Sequence, residues 1–146
     1  IHSPHVLKAY LPDRKRNYLY TLFEFIEGQS LAQWAIDNPK PSLEKVREII
    51  EQIAKGLHAF HRMEMLHQDL RPENIMIDTN GTIKIIDFGS VYVSGIEETE
   101  NNSPLTYLKG TALYSAPEYF LGEPGTTQSD LYSLAVITYY LLSGKY

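Results

Sequence analysis

Asn80-Gly81 stands between two short apolar runs, Ile75-Met76-Ile77 and Thr82 to Ile86. An Asn-Gly pair flanked by apolar runs is the strongest short-range signal for a hairpin, so Asp78-Thr79-Asn80-Gly81 predicts a turn between two strands. A hairpin brings its two ends together, and the residues at these ends carry chemistry. Upstream lies His67-Gln68-Asp69-Leu70-Arg71-Pro72-Glu73-Asn74, and downstream lies Asp87-Phe88-Gly89. Asn74 and Asp87 are hard oxygen ligands of the kind Mg²⁺ takes, leaving room for waters and phosphate oxygens. Asp69 is a carboxylate that can orient a hydroxyl and accept its proton. Ion ligands beside a hydroxyl-orienting carboxylate are what phosphoryl transfer requires.

The run resembles the catalytic and magnesium loops of eukaryotic-type protein kinases, H-R-D-L-x-x-x-N followed by D-F-G. Gly110-Thr111 and Ala116-Pro117-Glu118 follow in the family's order. The resemblance covers nearly the whole chain and implies an α+β, protein kinase-like fold. Residues 1–27 would close the N-terminal lobe and form the hinge. Residues 28–146 would make most of the helical C-terminal lobe, with a catalytic loop at 67–74 and an activation segment at 87–118. The wording of 67–74, and of Ala116 to Gly125, is most similar to bacterial serine/threonine kinases, in particular those fused to a metal-dependent phosphatase domain.

The same resemblance assigns roles. It implies ATP and Mg²⁺ as cofactors and a protein carrying serine or threonine as partner. Asp69 would be the catalytic carboxylate, Arg71 the contact to the transferred phosphate, and Asn74 and Asp87 the metal ligands. Thr111 would bond the catalytic aspartate, which favours serine or threonine over tyrosine as acceptor. Phe23 would gate the back of the nucleotide pocket, Glu24 and Ile26 would offer backbone groups to adenine, and Met76 would form the apolar floor. His67 becomes a structural histidine tying the loop to the Asp87-Phe88 backbone, and Asp130 an acceptor for catalytic-loop amides. Glu118 would pair with an arginine from helices beyond this sequence.

Two positions depart from the pattern. Arg71 stands where the family usually has lysine, keeping the charge on a bulkier, planar group. Gln68 stands where kinases switched by activation-loop phosphorylation carry arginine. Glutamine cannot form an ion pair with phosphate, so that route of activation is not expected.

Composition narrows the alternatives. The 146 residues suffice for one core, and 43% apolar with 21% charged residues is ordinary for a soluble globular domain. Net charge is −5, and the one basic cluster is Arg14-Lys15-Arg16, so a nucleic-acid footprint is not expected. No apolar stretch reaches the length of a membrane span. Zero cysteines excludes disulfides and thiolate metal sites and fits a cytoplasmic protein. His58, His61 and His67 lack the supporting carboxylate pattern of a zinc site.

Periodicity predicts the elements. Tyr18 to Ile26 reads as a strand broken at Glu27-Gly28, where the backbone needs a positive φ or must run close to a ligand. Ser30 caps a short helix to Asn38, and Ser42 caps a long one. In the long helix, steps of three and four place Leu43, Val46, Ile49, Ile50, Ile53, Leu57 and Phe60 on one core face. Periodicity fails from Ser90 to Lys109, which predicts an extended loop of low intrinsic order. A final helix from about Gln128 to Leu142 is apolar on most faces, which predicts burial all round.

No G-x-G-x-x-G loop and no V-A-I-K-like strand is present, and the first residue is Ile1. The chain therefore reads as a piece of a longer kinase, expected to bind ATP poorly on its own. Two other readings stay open: a pseudokinase acting as a binding module, and a small-molecule phosphotransferase of the aminoglycoside or choline kinase type. Intact Asp69, Asn74 and Asp87 speak against the first, and the Gly-Thr…Ala-Pro-Glu segment against the second.

Overall fold

The computed structural model describes residues 1–11, 20–86, 92–93 and 112–145. In chain order the elements are β1 (Ala9–Tyr10), β2 (Leu22–Phe23), β3 (Gly28–Ser30), α1 (Leu31–Asp37) and α2 (Leu43–Arg62). Then come β4 (Met65–Leu66), a 3₁₀ turn (Pro72–Asn74), β5 (Ile75–Asp78), β6 (Ile83–Ile85), β7 (Tyr92–Val93), α3 (Pro117–Phe120) and α4 (Thr127–Ser143). The fold is α+β, and among the described residues the strand pairs of the three small sheets are antiparallel.

The two serine caps form as expected. Ser30 Oγ accepts the Gln33 amide at 3.1 Å and Ser42 Oγ the Lys45 amide at 3.1 Å, each satisfying a donor that the first helical turn leaves open. On α2, Val46, Ile49, Ile53, Leu57 and Phe60 are buried, as their spacing requires. Leu43 is not; it is 71% exposed, because it opens the helix one turn before Val46, the first α2 side chain to reach the core.

The hairpin is also as expected, with Ile75 opposite Ile85, Met76 opposite Lys84 and Ile77 opposite Ile83. Strand alternation buries Ile75, Ile77, Ile83 and Ile85 against α2 and leaves Met76 and Lys84 on the other face. Its turn is held by a residue whose role the pattern did not reveal. Asp78 Oδ1 accepts the amides of Asn80 and Thr82, both at 2.8 Å, while Gly81 takes the positive φ of +82°.

Three expectations need correction. Within the described part of 18–26, residues 20–26, only Leu22–Phe23 pairs as strand, against Ala9–Tyr10; Tyr18 and Leu19 lie outside the described residues. Gly28 has no positive φ. It begins β3, opposite Asp78, and a Cβ there would fall 2.1 Å from the Ile77 carbonyl oxygen, so close approach to β5 rather than to a ligand requires glycine. Finally, α4 is buried on one face only, through Ser129, Asp130, Ser133, Leu134, Ile137 and Leu141. Leu131, Tyr132, Tyr139 and Leu142 are between 44% and 56% exposed, because α2 covers a single side of the helix and an apolar composition does not by itself select a face.

Most of Ser90 to Lys109 lies outside the described residues. Tyr92–Val93 pairs with Met65–Leu66, so this short part is strand rather than loop. The N-terminal segment joins the hairpin sheet: Val6 bridges to Ile85, and His5 and Leu7 exchange backbone hydrogen bonds with Ile85 at 2.9 Å.

Candidate active site

The loop from His67 to Asn74 is positioned from behind by one buried carboxylate. Asp130, 1% exposed at the start of α4, accepts the His67 amide on Oδ2 at 3.0 Å and the Gln68 amide on Oδ1 at 2.9 Å. His61, at the end of α2, donates its Nε2–H to Oδ2 at 2.9 Å. A buried carboxylate is tolerated only when its oxygens are bonded in this way. The role expected for Asp130 is therefore present. The part of His61 was not foreseen, since a histidine at a helix end carries no signal of a partner 69 positions away.

The clamp holds Gln68 at φ +66°, a left-handed conformation that costs a non-glycine residue about 1 kcal/mol. His67 is fully buried. It accepts the Asp69 amide on Nδ1 at 3.3 Å and donates from Nε2 to the Ile86 carbonyl at 3.4 Å, with its ring edge-on to Phe60. The anchor is thus Ile86; Asp87 and Phe88 lie outside the described residues. With His61 and His67 committed to these partners, no three His, Cys, Asp or Glu side chains gather as a metal site among the described residues.

The structure brings Asp69 and Asn74 together. Asn74, 5% exposed in the 3₁₀ turn, donates from Nδ2 to the Asp69 carbonyl at 2.9 Å and to Asp69 Oδ2 at 3.1 Å. Both acceptors require the NH₂ end of the amide, which turns the amide oxygen away from them. Among the described residues no donor meets that oxygen. Asn74 is also tied to the far end of the hairpin, its carbonyl accepting the Ile86 amide at 2.9 Å. The residue preceding Asp87 is thus held against the asparagine predicted to share its ion. An amide oxygen that meets no donor among the described residues, beside a carboxylate, is chemically a donor set of the kind Mg²⁺ takes.

Arg71 immediately precedes the 3₁₀ turn. Its Nε lies 3.8 Å from Glu73 Oε2 and is buried without a hydrogen bond, so the guanidinium is weakly held by the described residues. Thr111, like Asp87, lies outside them.

The predicted nucleotide residues are placed unevenly. Phe23 is half exposed in β2, and Met76 is partly buried on the outer face of β5. Ile26 is partly buried between β2 and β3. Glu24 is the most constrained. Its amide donates to the Lys8 carbonyl at 2.9 Å, and its Oε1 accepts the Lys8 amide at 2.9 Å and Lys84 Nζ at 2.8 Å. Burial opposes ionisation of Glu24, but these bonds and the charges of Lys84 and Lys8 outweigh it and hold the carboxyl below its ordinary range. Glu118 accepts the Ser129 hydroxyl, which with its own backbone amide keeps its carboxyl low as well.

Comparison with known proteins agrees with this geometry. The profile of the family described as "protein kinase domain" matches residues 1–146. The chain is 35% identical to the serine/threonine-protein kinase PknA of Corynebacterium glutamicum, over 99% of this chain and 31% of that protein. It is 36% identical to the serine/threonine-protein kinase drp72 of Corynebacterium efficiens, over 99% of this chain and 28% of that one. With the serine/threonine-protein kinase PrkC of Bacillus subtilis it shares 31% identity over 97% of this chain and 22% of the relative. The chain therefore spans less than a third of the length of each of these relatives.

Proposed function

The chain belongs to the protein kinase family, and on that premise we propose that it carries the catalytic and metal-binding loops for transfer of the γ-phosphate of ATP to serine or threonine hydroxyls of proteins. Its relatives are serine/threonine kinases, which supports that choice of acceptor. The observation that supports the reading is the Asn74 amide, whose Nδ2 bridges to Asp69 and whose oxygen is turned away from that pair.

Asp69 orients the acceptor hydroxyl and takes its proton as the bond to phosphorus forms. Asn74 holds Asp69 in place through Nδ2, and Asn74 and Asp87 are the residues that would hold Mg²⁺, which when bound neutralises charge on the triphosphate. Arg71 offers its guanidinium to the transferred phosphoryl group, and Thr111 bonds Asp69 from the acceptor side. Residues 1–27 contribute the end of the smaller lobe and the hinge, and 28–146 part of the larger lobe. At the hinge the Glu24 amide is already bonded to Lys8, so Glu24 offers adenine its carbonyl, with Ile26 beside it, Met76 beneath and Phe23 at the rear. We read the reaction as cytoplasmic, where ATP is supplied. No helix among the described residues is long and apolar enough to cross a membrane.

In the intact protein, Asp69→Asn is expected to lower turnover by roughly 10²-fold or more with ATP affinity little changed, the scale of a positioned acid/base group. Asp87→Ala is expected to abolish Mg²⁺-dependent nucleotide binding while the fold survives. Wild-type turnover in the first variant, or unaltered Mg·ATP binding in the second, would overturn the assignment.

A further inference from the structure

Lys84 has no place in the mechanism above, yet it ties together three separate parts of the chain. It sits on β6 opposite Met76, the strand partner assigned to the floor of the pocket. Its ammonium reaches Glu24 Oε1, sixty residues earlier, at 2.8 Å. The same carboxylate oxygen accepts the Lys8 amide, and the Glu24 amide returns a bond to the Lys8 carbonyl. The two side chains are well covered, at 18% for Lys84 and 22% for Glu24. Glu24 is therefore held at both its side chain and its amide, which fixes the residue from which its carbonyl projects. On the other side, β6 runs into Ile86, whose amide is bound by Asn74.

We propose that Lys84 is a positioning residue for the nucleotide: its ammonium anchors Glu24 and so aims the Glu24 carbonyl at the 6-amino group of adenine. The inference rests on the ATP reading given above. An ion pair that keeps some contact with solvent, as this one does, adds little affinity by itself. Its effect is geometric, keeping one hydrogen-bond acceptor in register with the base while the strand that carries Lys84 leads on to the metal ligand. The base it favours is an adenine, whose amino group donates where guanine presents an acceptor.

The test is equilibrium binding to the intact protein of two nucleotides: ATP, and purine riboside triphosphate, which lacks the amino group. It is joined by hydrogen exchange of the Glu24 amide in nucleotide-free protein. Losing one neutral hydrogen bond corresponds to a fall in ATP affinity of roughly 3- to 10-fold, which is the loss expected for Lys84→Met. The analogue should lose much less, Lys84→Arg should retain ATP affinity, and Glu24 amide exchange should quicken in Lys84→Met. Glu24→Gln, which keeps the side-chain shape, should reproduce the selective loss and covers the case in which Lys84→Met folds poorly. Unchanged ATP affinity in Lys84→Met and Glu24→Gln, or equal losses for both nucleotides, would overturn the proposal while leaving the kinase reading intact. If the wild-type protein binds neither nucleotide, the kinase reading itself falls, and this inference with it.

Discussion

Gln68 is held in a left-handed backbone conformation by Asp130, whose Oδ1 accepts its amide from 62 positions further along the chain. The strain at Gln68 and the burial of Asp130 are two sides of one arrangement. The carboxylate is tolerated inside because three donors meet it, and the backbone stays at positive φ because the carboxylate over-determines it.

Removing the acceptor should therefore be costly. Asp130→Ala leaves two backbone amides and a histidine without their partner, a loss on the order of 3 kcal/mol measured by urea unfolding. Gln68→Gly should be nearly neutral, since relief of the positive φ offsets the added chain entropy. Gln68→Val, β-branched at the same φ, should cost more than about 1 kcal/mol. Similar stabilities for the glycine and valine variants would show that the conformation is not strained.

Gly28 offers a test of packing free of catalysis. A Cβ at this position would meet the Ile77 carbonyl oxygen at 2.1 Å and the Asp78 Cα at 2.7 Å, both backbone atoms that cannot swing aside. Gly28→Ala should destabilise the protein by about 1–3 kcal/mol, visible as a lower Tm.

The Glu24–Lys84 pair gives a pH signature. Glu24 titrates below its ordinary value of 4.5 in the folded protein, so its contribution is fully present above pH 4.5 and is lost as acid protonates it through the lower, folded value. The stability difference between wild type and Glu24→Gln should thus be constant near neutrality and shrink on acidification below pH 4.5. A difference that grows toward low pH would contradict the direction of the shift.

Gln68 also bears on regulation. Because glutamine at this position offers no cation to a phosphate on the activation segment, the intact protein should keep most of its kinase activity when Ser94, Thr99, Ser103, Thr106 or Tyr107 is changed to alanine. Loss of activity in one of these variants, together with a wild-type activity that rises on phosphorylation of that same residue, would contradict this reading.

What could be read from the sequence was local. The serine caps, the α2 face and the 75–86 hairpin follow from spacing and turn chemistry within a few residues of each position. Asp69 and Asn74 stood out because both sit in one short loop, but the hydrogen bond between them was not foreseen. The partners of Asp130 and Lys84 were harder to read, since His61–Asp130 and Glu24–Lys84 join residues 69 and 60 positions apart and no periodicity encodes such contacts. The α4 face failed for another reason: a helix apolar on most sides does not record which side its neighbour covers. The role of β3 was missed because Gly28-Gln29-Ser30 has none of the branched or aromatic residues that mark a strand.

The bridge between Val6 and Ile85 carries a consequence for how the chain reaches this shape. The α2 helix and the β5–β6 hairpin are built from near neighbours and can form early, since little chain must be gathered to close them. His5 bonds to the Ile83 carbonyl across 78 positions, so the sheet edge beside the hairpin is completed only when the two ends of that long loop meet. The segment from His5 to Leu7 then acts as a late closure on a preassembled hairpin. On a ribosome its place would stay empty until synthesis of the hairpin was complete, leaving the segment before α2 exposed in the meantime.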